Sequence, residues 1–177
     1  VFERTYREIE KNKDNAVVYI GGDIAHSKTD MSPELVHQLS NLFKNLSDIC
    51  PTIIIAGNHD CNLNNLSRLD VLTPIVNNLN HPNLHYLKDS GVYKCADVSF
   101  VVWDCWTKEE DFILADDVEG DTKVVLFHGT VDRAETDLGF HLPSDVHIDK
   151  FKGYDLGLPA IIIVGHISDR FLNRLDS

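Results

Sequence analysis

The chain has 177 residues, of which 43% are apolar and 25% charged, values typical of a globular protein large enough to bury a core. Its 28 acidic residues outnumber 16 basic ones, which gives a net charge of −12 at pH 7. This balance argues against unaided binding to nucleic acid, because such binding depends on basic groups that contact phosphates. No apolar run approaches the ~20 residues of a membrane span, so we expect no membrane partner.

The four cysteines show no Cys-x-x-Cys spacing, which is typical of a reducing compartment, and we therefore expect a cytoplasmic, intracellular protein. The chain begins Val1-Phe2-Glu3-Arg4, without an initiator methionine or a signal-peptide pattern. We expect residues 1–177 to form one domain, with its start inside a longer protein.

Three segments have the apolar spacing of amphipathic helices. The first covers residues 1–13. The second follows the cap Ser32 and the proline Pro33, continues to Ile49, and ends before Pro51. The third begins at Thr73-Pro74 and is shorter.

Short apolar or β-rich runs predict the strands, which fall at residues 16–20, 52–56, 84–87, 92–95, 98–105, 124–127 and 160–164. A turn at residues 89–91 separates the third and fourth of these strands. The early alternation of strand and helix, followed by clustered strands, predicts a layered α/β domain.

Four of the strands are followed by glycine and side chains that bind metals. The carboxyl ends of parallel strands meet at one edge of a sheet, where ligands bind. That edge would collect one residue from each loop, namely Asp23, Asn58, His128 and His166. Each residue alone has an ordinary interpretation as a turn or loop residue, but four coincidences at four strand ends favour one metal site.

Carboxylate, amide and imidazole ligands together suit manganese, iron or zinc. Two such cations roughly 3.5–4 Å apart hold the attacking and leaving oxygens of a displacement at phosphorus. A carboxylate such as Asp23 is the natural bridge between them.

The motifs Gly22-Asp23, Gly57-Asn58-His59-Asp60, His128-Gly129 and Gly165-His166, in this order, resemble those of calcineurin-like metallophosphoesterases. The resemblance extends from about residue 16 to residue 168. The run Gly21-Gly22-Asp23-Ile24-Ala25-His26, with histidine where many members have aspartate, is similar to the DNA-repair nuclease branch that includes bacterial SbcD.

This resemblance implies a four-layer α/β/β/α sandwich and a hydrolase that uses two divalent metal ions, manganese above all, to activate a hydroxide that attacks phosphorus. Asp23 would bridge the ions, and Asn58, His128 and His166 would complete one metal sphere. His59 would stabilise the reacting phosphate or protonate the leaving oxygen, and Asp60 would orient His59.

The chain departs from the family pattern in two places. No Asp-x-His motif precedes Asp23, which suggests a chain truncated near its start, and Ser168 stands where the family has a second histidine after His166. One metal sphere is therefore complete in the sequence and the other depleted. His26 is the candidate for an additional ligand to the depleted metal.

Three functions compete. The first is a phosphodiesterase that acts on DNA, either as an exonuclease or as an endonuclease. The second is a phosphatase or small-molecule phosphodiesterase, since a fold does not determine its substrate. The third is a catalytically impaired domain that binds proteins. By resemblance, the partners would be an ATPase and a second copy of the chain.

Two tryptophans, Trp103 and Trp106, flank Asp104 and Cys105 near the end of a predicted strand. Packing in the core is the commoner role for such residues, and a stacking surface for a nucleobase is the alternative.

Overall fold

The computed structural model describes residues 2–25, 31–65, 67–132, 143–155 and 162–163. They form two compact units, one within residues 1–88 and 159–177, the other within residues 89–158. The helices and strands in chain order are α1 (Glu3–Asn12), β1 (Val18–Ile20), α2 (Pro33–Ile49), β2 (Thr52–Ile54), α3 (Leu72–Leu79), β3 (Leu84–Tyr86), β4 (Gly91–Cys95), β5 (Val98–Trp103), β6 (Thr122–Phe127) and β7 (Ile162–Ile163).

The first unit contains a four-stranded parallel sheet in the order β3-β2-β1-β7. Val18 pairs with Thr52, and Thr52 pairs with Leu84, so the three longer strands are in register. Because all four strands run in one direction, the loops that follow them leave from the same edge of the sheet.

Helix α2 forms as its sequence predicts. The Oγ of Ser32 accepts a hydrogen bond from the backbone N–H of Leu35 at 3.2 Å, and Pro33 occupies the first turn. Its apolar face buries Leu39, Phe43 and other side chains against the sheet in a core shared with α1 and α3. This core fixes the helices against the parallel strands.

Helix α3 begins at Leu72, one residue before the predicted start, and the Asp70 side chain caps its first backbone N–H groups. The Oδ1 of Asp70 accepts the N–H groups of Leu72 and Thr73 at 3.0 and 2.7 Å. Its Oδ2 forms an ion pair with the Lys88 ammonium at 2.9 Å, and the Asp70 side chain is only 1% exposed. One buried carboxylate therefore joins the start of α3 to the segment after β3.

The second unit contains a three-stranded sheet in the order β4-β5-β6. Strands β4 and β5 are antiparallel, whereas β5 and β6 are parallel. The turn at residues 89–91 does not close a hairpin, since β3 belongs to the sheet of the first unit and β4 to that of the second. Trp103 lies at the centre of the second core, stacked on Phe112 with 4.4 Å between ring centroids.

The α/β class is confirmed, with helices and strands in the predicted order. Of the predicted strand at residues 160–164, the structure describes Ile162 and Ile163, which form β7. The single domain over residues 1–177 remains a prediction. Within the described part of the chain, no helix is both long and apolar enough to cross a membrane.

Replacement of Asp70 with alanine is expected to lower the free energy of unfolding by roughly 2–4 kcal/mol, because the helix cap and a buried ion pair are lost together. Urea denaturation at neutral pH measures this difference. Asp14→Ala, at an exposed carboxylate of the same unit, is the control and should change stability little.

The difference in stability between wild type and Asp70→Ala should also depend on pH. Burial alone would raise the pKa of Asp70, but hydrogen bonds from Lys88 and Thr73 outweigh it and hold the pKa below the ordinary value of 3.8. The stabilisation is therefore complete above that value and is lost as the pH falls through the lower pKa of the folded state. A stability gap between wild type and Asp70→Ala that persists unchanged under acid conditions would contradict this account.

Candidate metal centre

The loop after β1 presents the carboxylate of Asp23. Gly22 and Asp23 both have left-handed backbone conformations, with φ of 86° and 52°, which is uncommon for aspartate. The Oδ1 of Asp23 accepts a hydrogen bond from the backbone N–H of His59 at 2.9 Å. The unusual conformation therefore directs the carboxylate towards the loop that follows the neighbouring strand.

That second loop, Gly57-Asn58-His59-Asp60, follows β2 and lies against the first. A Cβ on Gly57 would overlap the backbone nitrogen and the carboxylate of Asp23, and a Cβ on Gly22 would lie 2.6 Å from the Cα of Gly57. Glycine is required at both positions because the two backbones touch. This contact brings Asp23 and Asn58 to adjacent positions at the carboxyl edge of the sheet.

The buried carboxylate of Asp60 connects the two loops through backbone hydrogen bonds. Its side chain is buried, with Oδ1 accepting the N–H of Ala25 at 2.8 Å and Oδ2 accepting the N–H of Gly57 at 2.9 Å. Burial raises the pKa of Asp60 to about 6, helped by the charge of Asp23 and opposed by the two backbone N–H groups. The carboxylate thus sets the spacing of the loops, a role that the sequence alone did not suggest. Its orientation of His59 remains a prediction.

The exposure of the loop side chains suits contact with ligands. Asn58 is exposed and His59 is partly buried, whereas Asp60 is fully buried beneath them. Asn58 and part of His59 are therefore accessible to a ligand, in a loop whose buried residue Asp60 is fixed by hydrogen bonds to the backbone.

In the second unit, His128 comes directly after β6 and is partly buried. The following loop is held by Asp145, whose Oδ2 accepts the N–H of Thr130 at 2.8 Å. The predicted position of His128 at a strand end is thus observed within its own unit. His26 and His166 lie outside the described residues, so their predicted roles are not tested.

Asp104 organises the loop after β5, a role that the sequence pattern did not predict. Its carboxylate accepts hydrogen bonds from the N–H groups of Ser90, Trp106 and Thr107 at 2.7–2.8 Å. Burial alone would raise the pKa of Asp104, but these donors outweigh it and lower the pKa. The sequence offers only the aspartate itself as a signal, since aspartate side chains often hydrogen-bond the backbone N–H groups that follow them.

The donor groups of the two adjacent loops fit a divalent cation. Carboxylate and amide oxygens are ligands of manganese and iron, and glycine leaves room for the Asp23 carboxylate against the second loop. Among the described residues, no group of three histidine, cysteine, aspartate or glutamate side chains is placed to hold a metal ion. The predicted ligand set is not a group of this type, because it includes Asn58 and because His166 lies outside the described residues.

Residues 1–169 match the calcineurin-like phosphoesterase family. The chain belongs to this family. Its members are metal-dependent hydrolases of phosphoric esters, so the predicted family, enzyme class and use of divalent metals are confirmed at this level.

The chain is also similar to an uncharacterized protein of Acanthamoeba polyphaga mimivirus, with 40% identity over 168 residues. The match covers 87% of this chain but only 12% of the viral protein. The chain therefore spans about an eighth of the length of that relative.

Replacement of Gly57 with alanine is expected to push the two loops apart, because the new methyl group would overlap the backbone of Asp23. We expect a loss of about 1–3 kcal/mol in unfolding free energy and weaker manganese binding. Thermal unfolding and titration calorimetry measure the two effects.

Gly21→Ala is the matched control in the same region, since a Cβ there would meet the Tyr19 ring at an ordinary distance of 3.5 Å. If Gly57→Ala and Gly21→Ala had equal unfolding free energies and equal manganese affinities, the contact between the two loops would not be needed for either property.

Proposed function

We propose that this protein is a manganese-dependent phosphodiesterase that cleaves DNA, related to the SbcD-type nucleases. The observation that carries the proposal is the contact between the Asp23 loop and the Gly57–Asp60 loop, which holds the Asp23 carboxylate against the backbone of the loop that carries Asn58, at the carboxyl edge of a parallel sheet. The position of His26 in the sequence supports the nuclease branch within the confirmed family.

Each residue of the site has a separate role in this proposal. Asp23 would bridge two cations, and Asn58, with His128 and His166, would hold one of them. His59 would stabilise the phosphate or donate a proton to the leaving oxygen, while Asp60 keeps both loops in place. When bound, the cations supply Lewis acidity and neutralise negative charge.

The charge of the chain agrees with dependence on metal. A net charge of −12 repels a phosphate backbone, so the site needs cations or a basic partner before DNA binds. An ATPase partner and a second copy of the chain are part of this proposal, as is an intracellular location.

Ser168 supports a second candidate function, a phosphoesterase domain that binds proteins and catalyses little. A serine hydroxyl is a poor replacement for an imidazole ligand, so the second cation would bind weakly. Manganese titration by calorimetry separates the candidates, because two tight sites are incompatible with an impaired domain.

Hydrolysis of single-stranded DNA with manganese tests the nuclease assignment. We expect cleavage of DNA in addition to hydrolysis of a small aryl phosphodiester, and loss of both activities after chelation. Rapid turnover of the aryl ester without any DNA cleavage would reject the nuclease and favour a small-molecule phosphodiesterase.

Single substitutions can distinguish the proposed metal ligands from the proposed proton donor. Asn58→Ala and His128→Ala should each weaken manganese binding by at least about 10-fold. His59→Ala should leave manganese affinity intact and lower turnover by about 10²–10⁴-fold, the usual contribution of a positioned acid.

The control is His85→Ala, which removes an exposed histidine from β3. It should change neither manganese affinity nor turnover. Unchanged metal affinity in Asn58→Ala and His128→Ala would refute the ligand assignment.

A further inference from the structure

The backbone of Asp60 is joined to the start of helix α3. The N–H of Val71, the residue just before the helix, donates to the Asp60 carbonyl at 3.0 Å. The side chain of the same aspartate accepts the N–H groups of Ala25 and Gly57. Asp60 therefore connects both loops of the candidate metal centre to α3, and a shift of the helix start would displace both loops.

The start of α3 is itself fixed by a buried ion pair. The Oδ2 of Asp70 accepts the Thr73 hydroxyl at 2.7 Å and lies 2.9 Å from the Lys88 ammonium, while its Oδ1 caps the helix. The side chain of Asp70 is 1% exposed and that of Lys88 is 30% exposed. The position of the helix start therefore depends on where Lys88 is held.

Lys88 follows a strand of the parallel sheet. The N–H of Leu87 donates to the carbonyl of Ile54 at 2.9 Å, and Ile54 pairs with Tyr86 in the register of β2 and β3. Ile54 ends β2, three residues before Gly57. The contacts thus form a closed ring, which runs from β2 through the Gly57–Asp60 loop and α3 to the ion pair and returns to β2.

Tyr86 lies near both carboxylates of this ring. Its hydroxyl is buried. Burial raises the pKa of Tyr86, and the negative charges of Asp70 and Asp60 raise it further. The phenol therefore stays neutral, and the two carboxylates act on the same side chain.

We propose that the ion pair between Asp70 and Lys88 positions the Gly57–Asp60 loop for metal binding, acting through the start of α3. This inference rests on the proposed function and makes both residues positioning residues for the manganese site. Neither would touch the cation, since the oxygens of Asp70 are occupied by α3 and by the Lys88 ammonium. A buried ion pair adds little net stability compared with well-packed apolar side chains, so its contribution is the position that it imposes on its partners.

Asp70→Asn tests the proposal, because it keeps an oxygen that can cap α3 and removes the charge that holds Lys88. We expect manganese to bind about 10-fold more weakly, a loss at the lower end for groups that support metal ligands. Titration calorimetry well below the unfolding temperature measures the affinity of the folded protein. Wild-type affinity in the folded variant would overturn the proposal.

Leu46→Ala is the control for a general loss of stability. Leu46 is fully buried in α2, so its truncation should lower stability about as much as the loss of the ion pair. It lies near the end of α2 that leads into β2, and therefore towards the edge of the sheet opposite the candidate site. Manganese should bind Leu46→Ala as it binds wild type. An equal loss of affinity in the two variants would show a merely structural role and reject the proposal.

Hydrogen exchange of the metal-free protein gives a second readout. In Asp70→Asn the N–H groups of Ala25, Gly57 and Val71 should exchange roughly 10-fold faster relative to those of α2, the effect of losing about one hydrogen bond. Lys88→Met should give the same result, and it replaces Asp70→Asn if that variant fails to fold. Unchanged relative exchange in either folded variant would overturn the proposal.

Failure of the proposed function would look different. A wild-type chain that hydrolyses no phosphodiester contradicts the nuclease assignment, whatever the exchange rates of the loop amides. The exchange measurement uses neither metal nor substrate, so it tests the positioning role by itself.

Discussion

The contact between two loops at the edge of the parallel sheet is the constraint on which the candidate site depends. The buried carboxylate of Asp60 accepts backbone hydrogen bonds from Ala25 in one loop and Gly57 in the other. A buried carboxylate with two such donors is stable only when both loops occupy fixed positions, because an unpaired buried charge is costly. The precision of the site therefore comes from the backbone beneath it.

The strands and helices were predictable where local sequence determines them. Helix α2 has its cap, its proline and its apolar face within one continuous segment, so its bounds agree with the pattern. The start of α3 is different, because its cap Asp70 also pairs with Lys88, eighteen residues later. A long-range ion pair leaves no periodic signal in the sequence.

The candidate site, too, was predictable only where local sequence determines it. The strand-glycine-ligand pattern placed Asp23 and Asn58 correctly on adjacent loops, since parallel strands bring their ends together. The supporting roles of Asp60 and Asp104 were not predicted, because they depend on backbone N–H groups, which every residue type carries. Trp103 proved to be a core residue, which is the commoner role expected for it.

The left-handed conformation of Asp23 has an evolutionary consequence. At φ of 52° a glycine would relieve the backbone strain of an aspartate, but it would also remove the acceptor for the N–H of His59. Asparagine tolerates this conformation and keeps an oxygen acceptor, although it lacks the negative charge. A descendant freed from catalysis should therefore accept asparagine here, whereas one that still depends on the charge should retain aspartate.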